Sequence, residues 1–180
     1  MRRMLTVALL TAGAVVLVAV VVFGRSNADE LKAPDRAVLP GPGERDAAPA
    51  FTARTVDGRT VSLAGYRGKP LVINFFAHWC EPCKREAPAF VQLEQRYGDR
   101  VAVLSIARES TMPGVKRFMK TYDMSWPVVF DKGNALSDSF KVPGQPITYV
   151  IDAEGRVVFR IIGETTERRV GGVLDDLLRA

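Results

Sequence analysis

Hydrophobic positions follow two different patterns along the chain. From Met4 to Phe23 no side chain is charged, and Thr6 and Thr11 carry the only hydroxyls. Twenty helical residues at about 1.5 Å of rise each reach roughly 30 Å, the hydrocarbon thickness of a bilayer. Arg2 and Arg3 precede the run, and positive charge marks the cytoplasmic end of a span. The pattern predicts residues 1–3 in the cytoplasm, a single transmembrane signal-anchor over 4–23, and the remainder on the extracytoplasmic side of the cell membrane. Cleavage is the competing reading, since Ser26-Asn27-Ala28 is a passable cleavage site. The run is longer than the about 7–15 apolar residues of an ordinary signal peptide, which favours an anchor. Residues 24–50 show neither a period of 2 nor one of 3.6. They hold Pro34, Pro40, Gly41, Pro42, Gly43 and Pro49, the composition of a linker.

Residues 51–180 alternate between strand and helix patterns. Phe51–Val56 and Thr60–Leu63 flank Asp57-Gly58, a hairpin signal. Leu71–Phe76 is almost continuously apolar, as a strand buried on both faces is. A helix is predicted over Glu81–Tyr97, with Ala87, Phe90, Val91 and Tyr97 on its apolar side. Val101–Ile106 reads as a second buried strand, Gly114–Tyr122 as a helix with Pro113 at its first turn, Val128–Phe130 as a short strand and Ala135–Phe140 as a short helix. Ile147–Ile151 and Val157–Ile162 flank the turn Asp152–Gly155 and should pair antiparallel. The last helix, Thr166–Leu178, carries Val170, Val173, Leu174, Leu177 and Leu178 on one face. Its interior Gly171 and Gly172 should each cost about 1 kcal/mol relative to alanine. The sum is an α/β domain: a mixed sheet flanked by helices, with an added N-terminal β-hairpin.

Composition narrows the partners. The 180 residues carry a net charge of +5 and are 47% hydrophobic and 25% charged, which excludes a disordered chain. Basic residues never run longer than two, so nucleic acid is not an expected partner. Two cysteines permit one internal bridge at most, so no disulfide framework holds the fold.

Both cysteines fall in Trp79-Cys80-Glu81-Pro82-Cys83, between a buried strand and a helix. Pro82 tolerates the first helical turn, where its missing N–H would have no partner anyway. Cys80 therefore stands at a helix N-terminus, where the dipole and free N–H groups favour the thiolate, the nucleophilic form. Cys83, one turn inside, is close enough to bridge and more shielded. Cys80 is the expected nucleophile and Cys83 the resolving thiol of a disulfide exchange. A purely structural bridge would stabilise little, because the loop it closes is tiny. A zinc site needs about four ligands, and His78 is the only histidine. No metal and no cofactor beyond the Cys80–Cys83 pair are expected.

The segment Phe75-Phe76-Ala77-His78-Trp79-Cys80-Glu81-Pro82-Cys83-Lys84-Arg85-Glu86-Ala87-Pro88 resembles the active-site segment of the thioredoxin superfamily. More narrowly it is similar to the membrane-anchored ResA/TlpA/CcmG-type thiol-disulfide oxidoreductases. Tyr66–Pro70, Val142–Thr148 and Ile151–Gly155 extend the resemblance along the domain. It implies a thioredoxin-like fold, a kink at Pro88 and a cis peptide before Pro146 facing the sulfurs. It also implies backbone groups of Gln145 that pair with an extended substrate. Trp79, Glu81, Pro82 and Gln145 form the implied substrate-contacting set. Asn74 stands where thioredoxins proper place a buried Asp. Glu86, three residues after Cys83, is implied either as the alternative proton acceptor or as a substrate-binding group; a solvated helix carboxylate is the competing reading. Glu81 adds negative charge beside Cys80, which should raise its thiol pKa. His78 either tunes the thiols or stays exposed. Glu109 is expected in a surface loop rather than in the cleft.

An extracytoplasmic compartment oxidises cysteines, so a reductant there needs electrons from the membrane. The resemblance implies a thiol-disulfide oxidoreductase that reduces an exported protein client, with apocytochrome c leading, and is itself re-reduced by a membrane electron donor. The alternative is a reductant or Cu(I)-binding module for copper-site assembly of a terminal oxidase.

Overall fold

The computed structural model describes residues 46–180. The expected cytoplasmic tip, signal-anchor and most of the linker lie outside the described residues. Among the described residues no helix is long and apolar enough to cross a membrane. In chain order the elements are β1 (Thr52–Arg54), β2 (Thr60–Ser62), β3 (Leu71–Phe76), α1 (Glu81–Tyr97), β4 (Ala102–Ala107), α2 (Met112–Thr121), β5 (Val128–Phe130), α3 (Ala135–Ser139), β6 (Ile147–Ile151), β7 (Val157–Ile162) and α4 (Glu167–Arg179).

The central sheet has five strands in the order β5-β4-β3-β6-β7. β3 runs parallel to β4, and β4 to β5, whereas β3–β6 and β6–β7 are antiparallel. β3 and β4 are buried at every residue, which is why their sequences are apolar apart from Asn74 and Ser105. Alternation then sorts the two faces. Leu71, Ile73 and Phe75 share a core with Phe51, Leu63, Phe140 and Tyr149, so the hairpin and the segment around α3 cover that face. Val72 packs instead with Phe90 and Leu93 of α1 and Val170 and Leu174 of α4. Phe76 meets Val115 and Phe118 of α2.

The expected hairpin is present, as a separate two-stranded sheet. Gly58, at φ +89°, makes its turn, and the Val56 N–H donates to Val128 O at 2.7 Å, which joins the hairpin to β5. α2 begins two residues before the predicted Gly114, because the Thr111 hydroxyl accepts the Gly114 N–H at 3.2 Å and caps the helix. α4 runs through both glycines. At Gly171 the reason is close approach: the Tyr97 hydroxyl of α1 donates to Gly171 O at 2.9 Å. A Cβ there would lie 3.1 Å from that hydroxyl and 2.9 Å from Glu167 Oε1. The last residues of the expected linker are already ordered on the sheet. The Ala48 N–H donates to Gly155 O at 3.0 Å and the Val157 N–H to Asp46 O at 2.8 Å, along the outer edge of β7.

Candidate active site

The turn from β3 into α1 carries both cysteines. Cys80 is the N-cap of α1, and its Sγ accepts the Cys83 N–H at 3.3 Å. Pro82 occupies the first turn, where it removes no helical hydrogen bond. Cys80 and Cys83 form a disulfide with Cα atoms 5.3 Å apart. Cys80 keeps 5% of its surface exposed and Cys83 1%, so Cys83 is the more shielded, as its place inside the helix predicts.

Cys80 opens into a cleft of about 560 Å³ whose walls come from three loops. Trp79, Glu81 and Pro82 flank the sulfur; Arg108 and Glu109 follow β4; Pro143, Gly144 and Gln145 precede β6. The Gln145–Pro146 peptide is cis, as the resemblance implies, and Gln145 O lies 4.0 Å from Cys80 Sγ. Trp79 is half exposed, and its Nε1–H donates to Glu109 O at 2.7 Å. Glu109 stands exposed in a surface loop, as expected, and it also lines the cleft. The loop after β4 folds back on the Trp79 turn, a tertiary contact that no local pattern encodes.

Glu81 is exposed and its carboxylate pairs with Lys84 Nζ at 2.5 Å. That hydrogen bond and charge hold the Glu81 carboxyl below its usual range. The negative charge beside Cys80 is thus paired with a cation one turn away.

Glu86 is not solvated. It is buried, with 2% of its surface exposed. Asn74 Nδ2 donates to Glu86 Oε1 at 2.8 Å, and the Thr165 N–H donates to Oε2 at 3.1 Å. Burial pushes its pKa from 4.5 to about 8, against the lowering effect of those two hydrogen bonds, and the nearby Glu164 charge adds to the rise. Cys83 and Glu86 are three residues apart on α1, hence on one helix face. Asn74, which cannot titrate, serves as the donor that holds this carboxyl group.

His78 joins neither set. Its ring lies against Gly114, where a Cβ would come 2.2 Å from His78 Cδ2, and it lines a separate cavity of about 320 Å³ with Lys84 and Arg117. Its Nδ1 is buried without a hydrogen-bond partner. Two contributors escaped the sequence: Arg108, a lone basic residue at the end of a strand, and Thr165, whose backbone reaches Glu86 across 79 positions.

The AhpC/TSA family model matches residues 45–160. The chain belongs to the AhpC/TSA family. It is 34% identical over 131 residues to a thiol-disulfide oxidoreductase ResA of Bacillus cereus, covering 72% of this chain and 76% of that relative. A thiol:disulfide interchange protein of the thioredoxin family from Chlorobium tepidum TLS superposes with a TM-score of 0.66 at 31% identity, over 74% of this chain and 97% of that one. A secreted Mycobacterium tuberculosis disulfide oxidoreductase homologous to E. coli DsbE superposes with a TM-score of 0.65 at 25% identity, over 71% and 96%. The protein is a thioredoxin-like thiol-disulfide oxidoreductase of the ResA type, and Cys80–Cys83 is its redox-active disulfide.

Proposed function

We propose that the protein is an extracytoplasmic reductant that opens disulfides in exported client proteins, apocytochrome c foremost, while held to the cell membrane by the 4–23 segment. The observation that carries this reading is the Cys80–Cys83 disulfide at the head of α1, opening into a cleft where Gln145 O lies 4.0 Å from Cys80 Sγ. On the Cys83 face of α1 stands the buried Glu86 carboxyl, with its pKa raised to about 8. A group of that pKa exchanges protons readily near neutrality, as a resolving thiol requires. The secreted relative from Mycobacterium tuberculosis supports the compartment.

In the dithiol form the Cys80 thiolate, favoured at the N-terminus of α1, attacks one sulfur of the client disulfide. A mixed disulfide forms and one client thiolate leaves. The fraction of Glu86 that is ionised near its pKa of about 8 takes the Cys83 proton, and Cys83 attacks Cys80 Sγ and releases the second client thiolate. The client has gained two electrons and the Cys80–Cys83 pair has lost them. A membrane dithiol donor then reverses the exchange. Gln145 O beside the sulfur offers a backbone acceptor to an extended client strand. Pro146 sets the direction of that backbone, and Trp79, Glu81 and Pro82 supply the facing wall.

Cys83→Ser in the full-length chain should accumulate a client joined through Cys80, identified by non-reducing electrophoresis of membranes. Normal client reduction with nothing trapped would refute the assigned roles. A reduction potential below about −200 mV is expected, and one near about −120 mV would make the protein an oxidant instead.

A further inference from the structure

Arg108 is a buried cation in the wall of the cleft that the proton-transfer and exchange steps do not use. Its side chain is 8% exposed. Nη1 donates to the side-chain Oε1 of Gln145 at 2.8 Å and Nη2 to Glu109 Oε1 at 2.6 Å. The third nitrogen, Nε, is buried with no partner among the described residues. An orphaned buried donor opposes folding, so stability alone does not explain a guanidinium at this point. The backbone of Arg108 is itself anchored, its N–H donating to Phe76 O at 2.9 Å at the end of β3.

Each residue that Arg108 grips belongs to a different wall. Gln145 carries the carbonyl that lies 4.0 Å from Cys80 Sγ. Glu109 carries the carbonyl that accepts from the Trp79 indole. Glu109 also sits at φ +45°, a left-handed conformation that a non-glycine residue holds only when its surroundings impose it. The Arg108 ion pair on its side chain and the Trp79 bond on its carbonyl are two such constraints.

We propose that Arg108 is the positioning residue of the client cleft: its forked guanidinium ties the Gln145 loop to the Glu109–Trp79 wall, so that an extended client segment meets a groove already ordered beside Cys80. This rests on the client-reduction reading above and adds the device that sets client affinity. Ordering both loops before binding removes an entropic cost from association. Two donor nitrogens held in one rigid plane, each bonding a different wall, make this a task for arginine rather than lysine.

The test measures full-length protein in two reactions. One is turnover of insulin disulfides with dithiothreitol as reductant, which uses the cleft. The other is direct reduction of Cys80–Cys83 by dithiothreitol, which is small and needs no groove. Arg108→Ala should raise KM for insulin about tenfold, as losing charged hydrogen bonds does, with kcat and the dithiothreitol reaction changed less than about twofold. Arg108→Lys, which keeps the charge and loses the fork, should fall between the two, and it reads the effect if the alanine variant folds poorly. Arg108→Ala combined with Gln145→Ala should raise KM no further than the more damaging single change. An unchanged KM, additive effects, or an equal loss in both reactions would overturn the inference; the last would mean that Arg108 acts on the sulfurs or on folding. Wild-type protein that fails to turn over insulin would overturn the client-reduction reading and this inference with it.

Discussion

At residue 86 the chain keeps a carboxyl group where water does not reach. Its ordinary pKa of 4.5 rises to about 8 on folding. Between those two values the folded protein holds a proton that the unfolded chain has released, so this residue's contribution to stability declines as pH rises through that window. Over the window the loss is on the order of a few kcal/mol. Glu86→Gln should flatten that slope, which thermal unfolding at about pH 5 and about pH 8 would show. The same variant should slow release of a trapped client while leaving the first attack by Cys80 intact. An unaltered pH profile of both stability and release would remove Glu86 from the proton path. Sequence alone placed Glu86 one turn beyond Cys83. Its burial depends on Asn74 and Thr165, which only the packing of β3 and the start of α4 brings to it.

α4 shows at the scale of one element why propensity and packing must be weighed separately. Its two interior glycines look equally costly in the sequence. Gly172 is exposed, with nothing within 4 Å of a built Cβ, whereas Gly171 is buried against Tyr97 of α1 and the Arg96 side chain. Gly172→Ala should therefore stabilise the protein by up to about 1 kcal/mol, the helix-propensity gain. Gly171→Ala should forfeit that gain, because a Cβ must push aside the ends of the Glu167 and Arg96 side chains and the Tyr97 hydroxyl that bonds Gly171 O. Chemical denaturation of the two variants checks the difference. The other elements were legible for reasons equally local: α1 through its apolar spacing, β3 and β4 through continuous burial, and the β6–β7 turn through Asp152 and Gly155. Where boundaries moved, as at the start of α2, a capping hydroxyl decided them.

Across the whole molecule, the edges of the sheet explain how much chain the domain needs. The hairpin reaches the β5 side through Val56 and Val128, and Asp46–Ala48 cover the start of β7. A protein beginning at Phe51 should be less stable than one beginning at Asp46 by about 2 kcal/mol, the worth of two backbone hydrogen bonds. It should also self-associate more readily through the bared edge. Thermal melts and sedimentation of the pair would show both effects, and equal behaviour would mean that the segment is dispensable. The sequence by itself determined the order and type of the elements, the pairing of Cys80 with Cys83 and its place at a helix start. These follow from periodicity, capping and spacing, which act over a few neighbouring residues. Only the tertiary structure decided which groups surround that pair. Arg108, Glu109, Gln145 and Thr165 come from loops far apart in the chain, and their side chains and backbone groups meet only because the strands carrying them lie side by side in one sheet.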